Sequence, residues 1–519
     1  MKRTTRIIAI ILVLAFAFSA CTGSQPTTPA VTTAATQADA TTATTAEEVK
    51  PAPPVELHMT VPGFATEALD PKSAIFVELQ EKTNSVLKID FIPDKSYGEK
   101  LSAMLAGNTL PDVCYIPSMT SSNIRMAAQS GAFWQLNDYL GRFENLSQYN
   151  PDTLMRASIE GRAYGLYRDR QIARLGNMQY RKDWAEKVGI TEPPKTIEEF
   201  YDMCYKFTYG DPDGNNIDDT FAISAQSSMN SFPSILAWFG AGGGKNYTLR
   251  DGNIVHVATT EEYVEGLTFI RKLFEEGLIN RDFISVSARN DNIRTGRAGI
   301  ALGAVDDVLN NQKELVKLIP DAQLWVAGPV DAGKGLFAAP ENDGFKGFFS
   351  FPKTTLKTED QLMAALGVFD KMNTVEINDL IQYGIEGTHY NVKDGVVVRV
   401  EDMIQQRMKD SNDLNQLFTF NLTVNPATPE VKAPLDVAVD EVLATSLTYV
   451  QKTYNSGLLS PTDSKEGSEL NKILDDAKAK FVMGQITEEQ LRAETERWRA
   501  QGGDTIMKEF TEAYKAING

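Results

Sequence analysis

The first part of the chain alternates segments typical of strands with segments typical of helices. Residues 55–61 and 87–92 alternate apolar and polar side chains, and 112–116 form a short apolar run. Helical stretches at 72–84 and 97–106 separate these three segments. This βαβαβ order predicts an α/β fold with a largely parallel sheet and helices on both of its faces. Such sheets bind ligands at the carboxyl ends of their strands.

The chain begins with a short basic segment followed by an apolar one. Residues 7–20 carry no charge, and this run is too short to span a bilayer but typical of a secretory signal. Ser19 and Ala20 directly before Cys21 resemble the lipobox of bacterial lipoproteins. The resemblance implies that residues 1–20 are removed and that Cys21 carries a lipid, expected to include palmitate. The alternative is an ordinary signal peptide that happens to contain a cysteine.

Residues 21–54 are dominated by Thr, Ala and Pro and have almost no large apolar side chains. Such a segment cannot bury enough surface to offset its ordering entropy, so we expect a disordered tether. The remaining body of about 465 residues exceeds what one hydrophobic core usually organises. Two lobes are therefore expected after the tether.

Acidic residues outnumber basic ones, with 69 Asp and Glu against 51 Lys and Arg and a net charge of −18. This balance argues against nucleic acid and anionic lipid surfaces as partners, because both require basic patches. Only Cys114 and Cys204 follow Cys21, so no disulfide framework is expected. With three His and no clustered Cys, a zinc site of the usual ligand spacing is not expected either.

Several blocks in the body have the order and spacing of one known family. The blocks, in chain order, are 107–113 (GNTLPDV), 180–184 (YRKDW), 187–190 (KVGI), 194–200 (PKTIEEF), 283–299 (ending RTGRAG), 384–390 (GIEGTHY) and the helical end 480–514. Together they resemble the extracellular solute-binding lipoproteins of ABC importers, specifically the large carbohydrate-binding branch of Gram-positive bacteria. Gly299 and Ile300 replace the Ala and Met that are usual there. Within these blocks, Thr196 followed by Glu199 predicts a helix capping box.

The resemblance implies a two-lobed, periplasmic-binding-protein-like fold of type II. Each lobe would be a mostly parallel sheet flanked by helices, with the ligand cleft between the lobes. We expect the first lobe at 55–170 and 295–345 and the second at 171–294 and 346–519, joined by two or three hinge crossings.

The resemblance also implies a function without catalysis. The chain would act as a monomer on the extracellular face of the cell membrane, touching the membrane only through its lipid anchor. It would capture a carbohydrate, expected to be an oligosaccharide, and deliver it to the transmembrane permease subunits of an ABC importer.

Two other classes stay open from the residues alone: a secreted surface glycosidase and a carbohydrate-binding adhesin without a transport role. The chain has no Gly-x-Ser-x-Gly elbow and no His-Glu-x-x-His motif. Acidic pairs such as Asp306–Asp307 are too abundant to indicate or exclude a glycosidase.

In the segment 211–220 (DPDGNNIDDT), oxygen-bearing side chains at loop positions one, three, five and nine and a carbonyl at position seven follow the pattern of an EF-hand calcium loop. The segment departs from that pattern at position six, which is Asn216 and not Gly, and at position twelve, which is Ala222 and not Glu. Relatives in the resembled family carry structural calcium at such a loop. The Ca²⁺ ligands implied here are Asp211, Asp213, Asn215, Ile217 through its carbonyl, and Asp219. The alternative is a solvated Asp-Pro-Asp-Gly turn that needs no metal.

A sugar site combines aromatic rings with carboxylate, amide and Arg groups, because sugars have both apolar faces and hydroxyls. Tyr115 ends the third predicted strand, and a glycine-rich segment at 240–244 follows two bulky aromatics. The candidate ligand contacts are Tyr115, Tyr164, Tyr167, Trp238, Phe239 and His389. Any one aromatic is more often a core residue, and His389 can face either the cleft or the core.

Overall fold

The computed structural model describes residues 53–65, 67–119, 121–242, 246–341, 343–419 and 430–518. The leader, Cys21, nearly all of the predicted tether and part of the glycine-rich segment lie outside the described residues. The strands are β1 (Val55–Gly63), β2 (Ser85–Pro93), β3 (Val113–Ile116), β4 (Leu166–Asp169), β5 (Asn177–Arg181), β6 (Phe221–Ser224), β7 (Tyr247–Arg250), β8 (Asn253–His256), β9 (Ala298–Gly303), β10 (Leu324–Ala327), β11 (Ala339–Pro340), β12 (Phe345–Ser350), β13 (Tyr390–Lys393), β14 (Val396–Arg399) and β15 (Val450–Gln451).

The helices of the described residues flank and connect these strands. They are α1 (Ala74–Thr83), α2 (Asp94–Ala106), α3 (Ser122–Gln129), α4 (Asn137–Leu140), α5 (Pro151–Arg156), α6 (Lys182–Lys187), α7 (Ile197–Tyr209), α8 (Phe232–Trp238), α9 (Glu261–Glu275), α10 (Asp291–Arg294), α11 (Asp307–Leu315), α12 (Glu359–Met372), α13 (Val375–Tyr383), α14 (Ile404–Asp410), α15 (Pro434–Ser446), α16 (Pro461–Val482), α17 (Glu488–Trp498) and α18 (Asp504–Asn518). None of these helices combines the length and apolar character needed to cross a membrane.

The first sheet has the strand order β2-β1-β3-β12-β4. β1 pairs in parallel with β2 and β3, which confirms the predicted βαβαβ arrangement. β12 arrives from much later in the chain and pairs antiparallel with both β3 and β4. The core of this sheet includes the fully buried Met59, Val61 and Phe349 and also takes in α12 through Leu366 and Phe369.

The second sheet has the strand order β10-β5-β9-β6. β6 and β9 run parallel, and β5 runs antiparallel to β9 and β10. Ile300 and Leu302 of β9 pack into one core, and Ala301 between them packs into another. Because alternate residues of a strand face opposite sides, helices cover this sheet on both faces.

The predicted capping box at the start of α7 is confirmed. Thr196 Oγ1 accepts a hydrogen bond from the Glu199 backbone N–H at 3.2 Å, and Glu199 Oε2 accepts one from the Thr196 N–H at 3.2 Å. Two of the N–H groups that a helix start leaves unpaired are thereby satisfied.

Each of the two large sheets has its own hydrophobic core, and we call the residues packed around them the first lobe and the second lobe. Core residues of the first lobe come from 57–167 and 348–418, and those of the second come from 178–330 and 470–510.

The sheet pairing differs from the predicted lobe boundaries in the segments 295–345 and 346–519. β9 and β10, which lie within 295–345, pair in the second sheet, whereas β12, at the start of 346–519, pairs in the first. Buried strands such as β9 are apolar along their whole length. Their sequence therefore identifies a strand but not the sheet that accepts it.

Candidate functional site

The short connection between β4 and β5 brings one edge of the first sheet close to one edge of the second. In the first sheet, the carboxyl ends of β3 and β4 share one edge with the amino end of β12, since β12 is antiparallel to both. In the second sheet, Asn177 at the start of β5 pairs with Gly303 at the end of β9. The chain runs from Asp169 in β4 to Asn177 in β5 through only residues 170–176, which keeps the two edges close.

A cavity of about 210 Å³ lies at this junction. Its walls include Pro117 directly after β3 and Phe345 and Phe348 of β12. The opposite wall is formed by 457–459, the segment before α16, and Leu458 packs against the second core. The cavity is therefore lined by both lobes and lies at the carboxyl edge of the first sheet, where α/β folds bind ligands.

The polar lining of the cavity contains both signs of charge. The charged residues that line it are Arg125, Arg156, Glu160, Asp343 and Lys346. Arg156 is paired with the buried carboxylate of Glu341 at 2.6 Å, and Glu341 also accepts a hydrogen bond from the backbone of Thr453. Glu341 lies between β11 and β12, so this ion pair fixes the end of α5 to the segment that joins these two strands.

Aromatic rings complete the lining. The rings of Phe345 and Phe348 lie 5.2 Å apart, and Phe345 is only partly buried. Apolar rings beside guanidinium, ammonium and carboxylate groups suit a ligand that has apolar faces and many hydroxyls.

Three of the sequence-predicted contacts lie inside the core of the first lobe. Tyr115 is 4% exposed, and its hydroxyl donates a 3.1 Å hydrogen bond to the Lys346 carbonyl. Tyr167 is 1% exposed and stacks on Tyr149 at 4.3 Å, while Tyr164 is 6% exposed. Burial raises the pKa of Tyr115 and of Tyr167, so both hydroxyls stay protonated.

The other three predicted contacts lie elsewhere in the structure. Trp238 is fully buried in the second core, where its Nε1 donates to the Gly176 carbonyl at 3.0 Å. Phe239 is half-buried against Phe269, with ring centroids 5.6 Å apart. His389 is 3% exposed, and its Nδ1 accepts from the Ile385 N–H at 3.0 Å. The structure does not bring the six residues together, and their ligand roles stay predictions.

Sequence reasoning did not identify the residues that line the cavity, such as Arg125, Arg156, Phe345, Lys346 and Leu458. They come from segments that are far apart in the chain and carry no local motif. The missing information was the antiparallel insertion of β12, which places Phe345 and Lys346 at the carboxyl edge of β3.

The loop 211–220 gathers oxygen groups at the surface of the second lobe. The side chain of Asn215 donates to Asp213 at 2.8 Å and to Asp219 at 3.3 Å, while the carboxylate of Asp211 accepts from the Asn216 N–H at 3.2 Å. The Ile217 side chain is exposed. Among the described residues, no group of three or more His, Cys, Asp and Glu side chains is arranged to hold a metal ion.

Comparison with known proteins agrees with this architecture. Residues 67–355 match the model of the bacterial extracellular solute-binding protein family. The chain is 30% identical over 450 residues to the polygalacturonan/rhamnogalacturonan-binding protein YtcQ of Bacillus subtilis (strain 168), covering 86% of this chain and 89% of YtcQ. It is 29% identical over 480 residues to lipoprotein LipO of the same organism, covering 89% and 92%.

Solved structures share the fold. A solute-binding protein of Bifidobacterium longum infantis, described as binding HMO and associated with an ABC transporter, superimposes with a TM-score of 0.68 at 18% identity, covering 90% of this chain and 99% of that one. An EF-hand mutant of the S. pneumoniae ABC-transporter substrate-binding protein FusA, in complex with fructo-nystose, superimposes with a TM-score of 0.64 at 15% identity, covering 89% and 99%. The matched segment and the identity to YtcQ show that this chain belongs to the bacterial extracellular solute-binding protein family.

Proposed function

We propose that the chain captures an oligosaccharide in the cavity between its lobes and delivers it, chemically unchanged, to the permease of an ABC importer. The observation that carries this proposal is the cavity at the junction of the two sheet edges, lined by both lobes. The names of YtcQ and FusA, which refer to binding of carbohydrate polymers and to ABC transport, support it.

Closure follows from where the contacts lie. A sugar that touches Phe345 in the first lobe and Leu458 in the second makes all of its contacts only when the lobes are close together. Its binding therefore favours the closed arrangement by the difference in contact energy between the two forms. The permease can then distinguish a loaded protein from an empty one by its shape.

Anchoring at the cell surface is part of the same proposal. Removal of residues 1–20 and lipidation of Cys21 would tether a monomer to the extracellular face of the membrane. The sequence around Cys21 supports this step, as does the similarity to a protein named as a lipoprotein.

The loop 211–220 fits a calcium ion by its chemistry, since its side chains and carbonyls offer only oxygen ligands. We propose that Asp211, Asp213, Asn215, Ile217 through its carbonyl, and Asp219 hold Ca²⁺. Thr220 is not included because its hydroxyl donates to the buried Phe207 carbonyl at 3.0 Å. The ion would offset the repulsion among the three carboxylates and stabilise the loop. The EF-hand of FusA, a protein of the same fold, supports this assignment.

The test is a melting-temperature screen of the purified chain with neutral and acidic oligosaccharides, combined with chromatography of the recovered sugar. At a concentration one hundred times its Kd, a ligand stabilises the fold by about 2.7 kcal/mol. We expect at least one sugar to raise the melting temperature and to be recovered intact. F345A should remove the shift, whereas F337A, a half-buried phenylalanine outside the cavity lining, should retain it.

Two outcomes would contradict the proposal. A shortened or otherwise altered sugar would indicate a glycosidase. No stabilisation by any sugar of the screen would favour a surface protein without a small-molecule ligand.

A further inference from the structure

Three cationic side chains lie together at the edge of the first sheet that borders the cavity. Arg168 is in β4, Arg170 follows β4 directly, and Lys346 is in β12. The backbone N–H of Arg170 donates to the Gly344 carbonyl at 2.9 Å, and this bond holds the end of β4 beside the start of β12. Lys346 lines the cavity itself. We call these three residues the cation cluster.

Among the described residues, no carboxylate forms an ion pair with the cation cluster. Arg168 is 4% exposed and donates to the Phe418 carbonyl at 3.2 Å and to the Gln416 side chain at 3.0 Å. Arg170 and Lys346 make neither an ion pair nor a side-chain hydrogen bond within the described part of the chain. The Lys346 ammonium lies 5.4 Å from the centre of the Phe64 ring.

Five other arginines of low exposure are neutralised by carboxylates of the chain, whereas Arg294 and Arg407 bond to uncharged oxygens of Asn311 and Ile381. The five pairs are Arg156–Glu341, Arg174–Asp306, Arg181–Asp183, Arg289–Asp307 and Arg399–Glu430. Acidic residues are in excess in this sequence, 69 against 51 basic ones, so carboxylates are not scarce. The cation cluster differs from these five pairs because three neighbouring cations share a site without a paired carboxylate among the described residues.

Burial and nearby positive charge disfavour the charged forms of these side chains. Burial lowers the pKa of Arg168, and the nearby Arg170 lowers it further, opposed by Tyr115. Burial and the nearby Arg174 lower the pKa of Arg170, opposed by Asp306, Tyr115 and Asp307. Partial burial lowers the pKa of Lys346, and the positive charges of Arg170 and Arg168 lower it further. The nearby carboxylate of Asp94 raises this pKa. A bound anion would relieve this repulsion, and a guanidinium group can bind a carboxylate through two parallel hydrogen bonds.

We infer that the ligand is an acidic oligosaccharide and that Arg170 and Lys346 bind one of its carboxylates, with Arg168 behind them adding positive charge. This inference rests on the proposed function, because it assigns a chemical class to the sugar bound in the same cavity. Uronic acid residues supply such carboxylates. Arg168 is a positioning residue, since its donors are already committed to the 415–418 segment.

The test uses isothermal titration of the purified chain with trigalacturonate and trimannuronate, each compared with its methyl ester. Esterification removes the charge and preserves the sugar. We expect one acid form to bind at least about tenfold more tightly than its ester, and to lose that advantage as salt is raised. R170Q and K346Q should each weaken the acid form about three- to tenfold and leave the ester unchanged.

The controls are R297Q, at the amino end of β9 on the opposite edge of the second sheet, and K393Q, on the exposed β13–β14 hairpin. Both should bind like the parent chain. If acid and ester bind equally, or if only neutral or sulfated sugars bind, the inference is wrong while carbohydrate capture stands. If neither the acids nor their esters bind, the inference is wrong, and the proposed function fails with it only if no sugar of the melting-temperature screen binds either.

Discussion

Arg125 Nη1 donates a 2.6 Å hydrogen bond to Ser464 Oγ. Arg125 belongs to α3, which packs in the first lobe through Ile124, and Ser464 belongs to α16, which packs in the second through Leu470. The two residues therefore join the lobes beside the cavity that Arg125 lines. Such a bond contributes only when the lobes are close, so under the proposed function it favours the closed form.

Removing this bond should weaken ligand binding with little effect on folding. S464A deletes the acceptor, and a hydrogen bond of this kind contributes about 0.5–1.5 kcal/mol. We expect the Kd for the sugar found in the screen to rise about two- to tenfold. S130A is the matched control, because Ser130 bonds only within the end of its own helix, to Ala127. An unchanged Kd in S464A would show that the bond does not contribute to closure.

The buried ion pair between Arg156 and Glu341 should stabilise the fold where the chain passes from β11 to β12. E341Q leaves Arg156 without its carboxylate in a site where Glu341 is 5% exposed, which should cost about 3 kcal/mol. E359Q removes the carboxylate from an exposed pair with Arg142 and should cost less than about 1 kcal/mol. Urea unfolding measures both free energies. Equal losses of unfolding free energy in E341Q and E359Q would contradict a larger contribution from the Arg156–Glu341 pair.

Gly347 should be intolerant of any side chain. Its φ is +70°, and an added Cβ would lie 2.2 Å from the Tyr115 ring, so the ring has to move. We expect G347A to lose about 2–4 kcal/mol of unfolding free energy, from strain and overpacking together. G395A has a similar φ of +77° with nothing within 4 Å, and should lose only about 1 kcal/mol. Adding Y115L to G347A should recover part of the loss, and no recovery would contradict the steric explanation.

The buried His256 should make the fold less stable in mild acid. Burial, with a smaller effect of Lys478, lowers its pKa from 6.5 to about 3, and Ala258 donates its N–H to His256 Nδ1 at 3.1 Å. As the pH falls below 6.5, His256 therefore takes up a proton in the unfolded chain but stays neutral in the folded chain down to about pH 3. Over this range acid favours the unfolded chain. Between pH 7 and pH 5 this histidine should remove about 2 kcal/mol of stability.

The check is the unfolding free energy at pH 7 and pH 5 for the parent chain and H256Q. We expect H256Q to be less stable than the parent chain at pH 7. Between pH 7 and pH 5, however, its unfolding free energy should fall by about 2 kcal/mol less than that of the parent chain. Identical slopes for the two proteins would contradict a neutral, buried His256.

Calcium should stabilise the second lobe if the loop 211–220 binds it. We expect Ca²⁺ to raise the melting temperature of the parent chain, with a smaller effect of Mg²⁺, which prefers a stricter octahedral geometry. D213N should abolish the response, whereas D251N, in the exposed turn between β7 and β8, should retain it. An equal Ca²⁺ response in D213N would remove this loop from consideration.

Local patterns predicted the parts of the structure that local interactions determine. The alternation at 55–61 and the capping pair Thr196–Glu199 each reflect contacts within a few residues, and both features form as predicted. The placement of β9 and β12 depends on which sheet accepts a strand over a long sequence distance. Composition does not encode that choice, and the predicted boundaries consequently placed β9 with the first lobe and most of β12 with the second, whereas their sheet pairing is the reverse.

The site was harder to predict than the fold for the same reason. Aromatic residues such as Trp238 have the composition of a sugar platform, yet the second core buries this side chain completely. The residues that do line the cavity include Phe345 and Lys346, which reach the edge of β3 only through long-range pairing of β12. Their role becomes visible once that register is known.

Small-angle X-ray scattering of the purified chain, empty and saturated with the sugar that gives the largest melting shift, tests the central claim most directly. If the two lobes close on a ligand held between them, the radius of gyration must decrease on binding, and F345A must show no decrease at the same sugar concentration. A radius of gyration that is identical with and without bound sugar would contradict capture in the cleft.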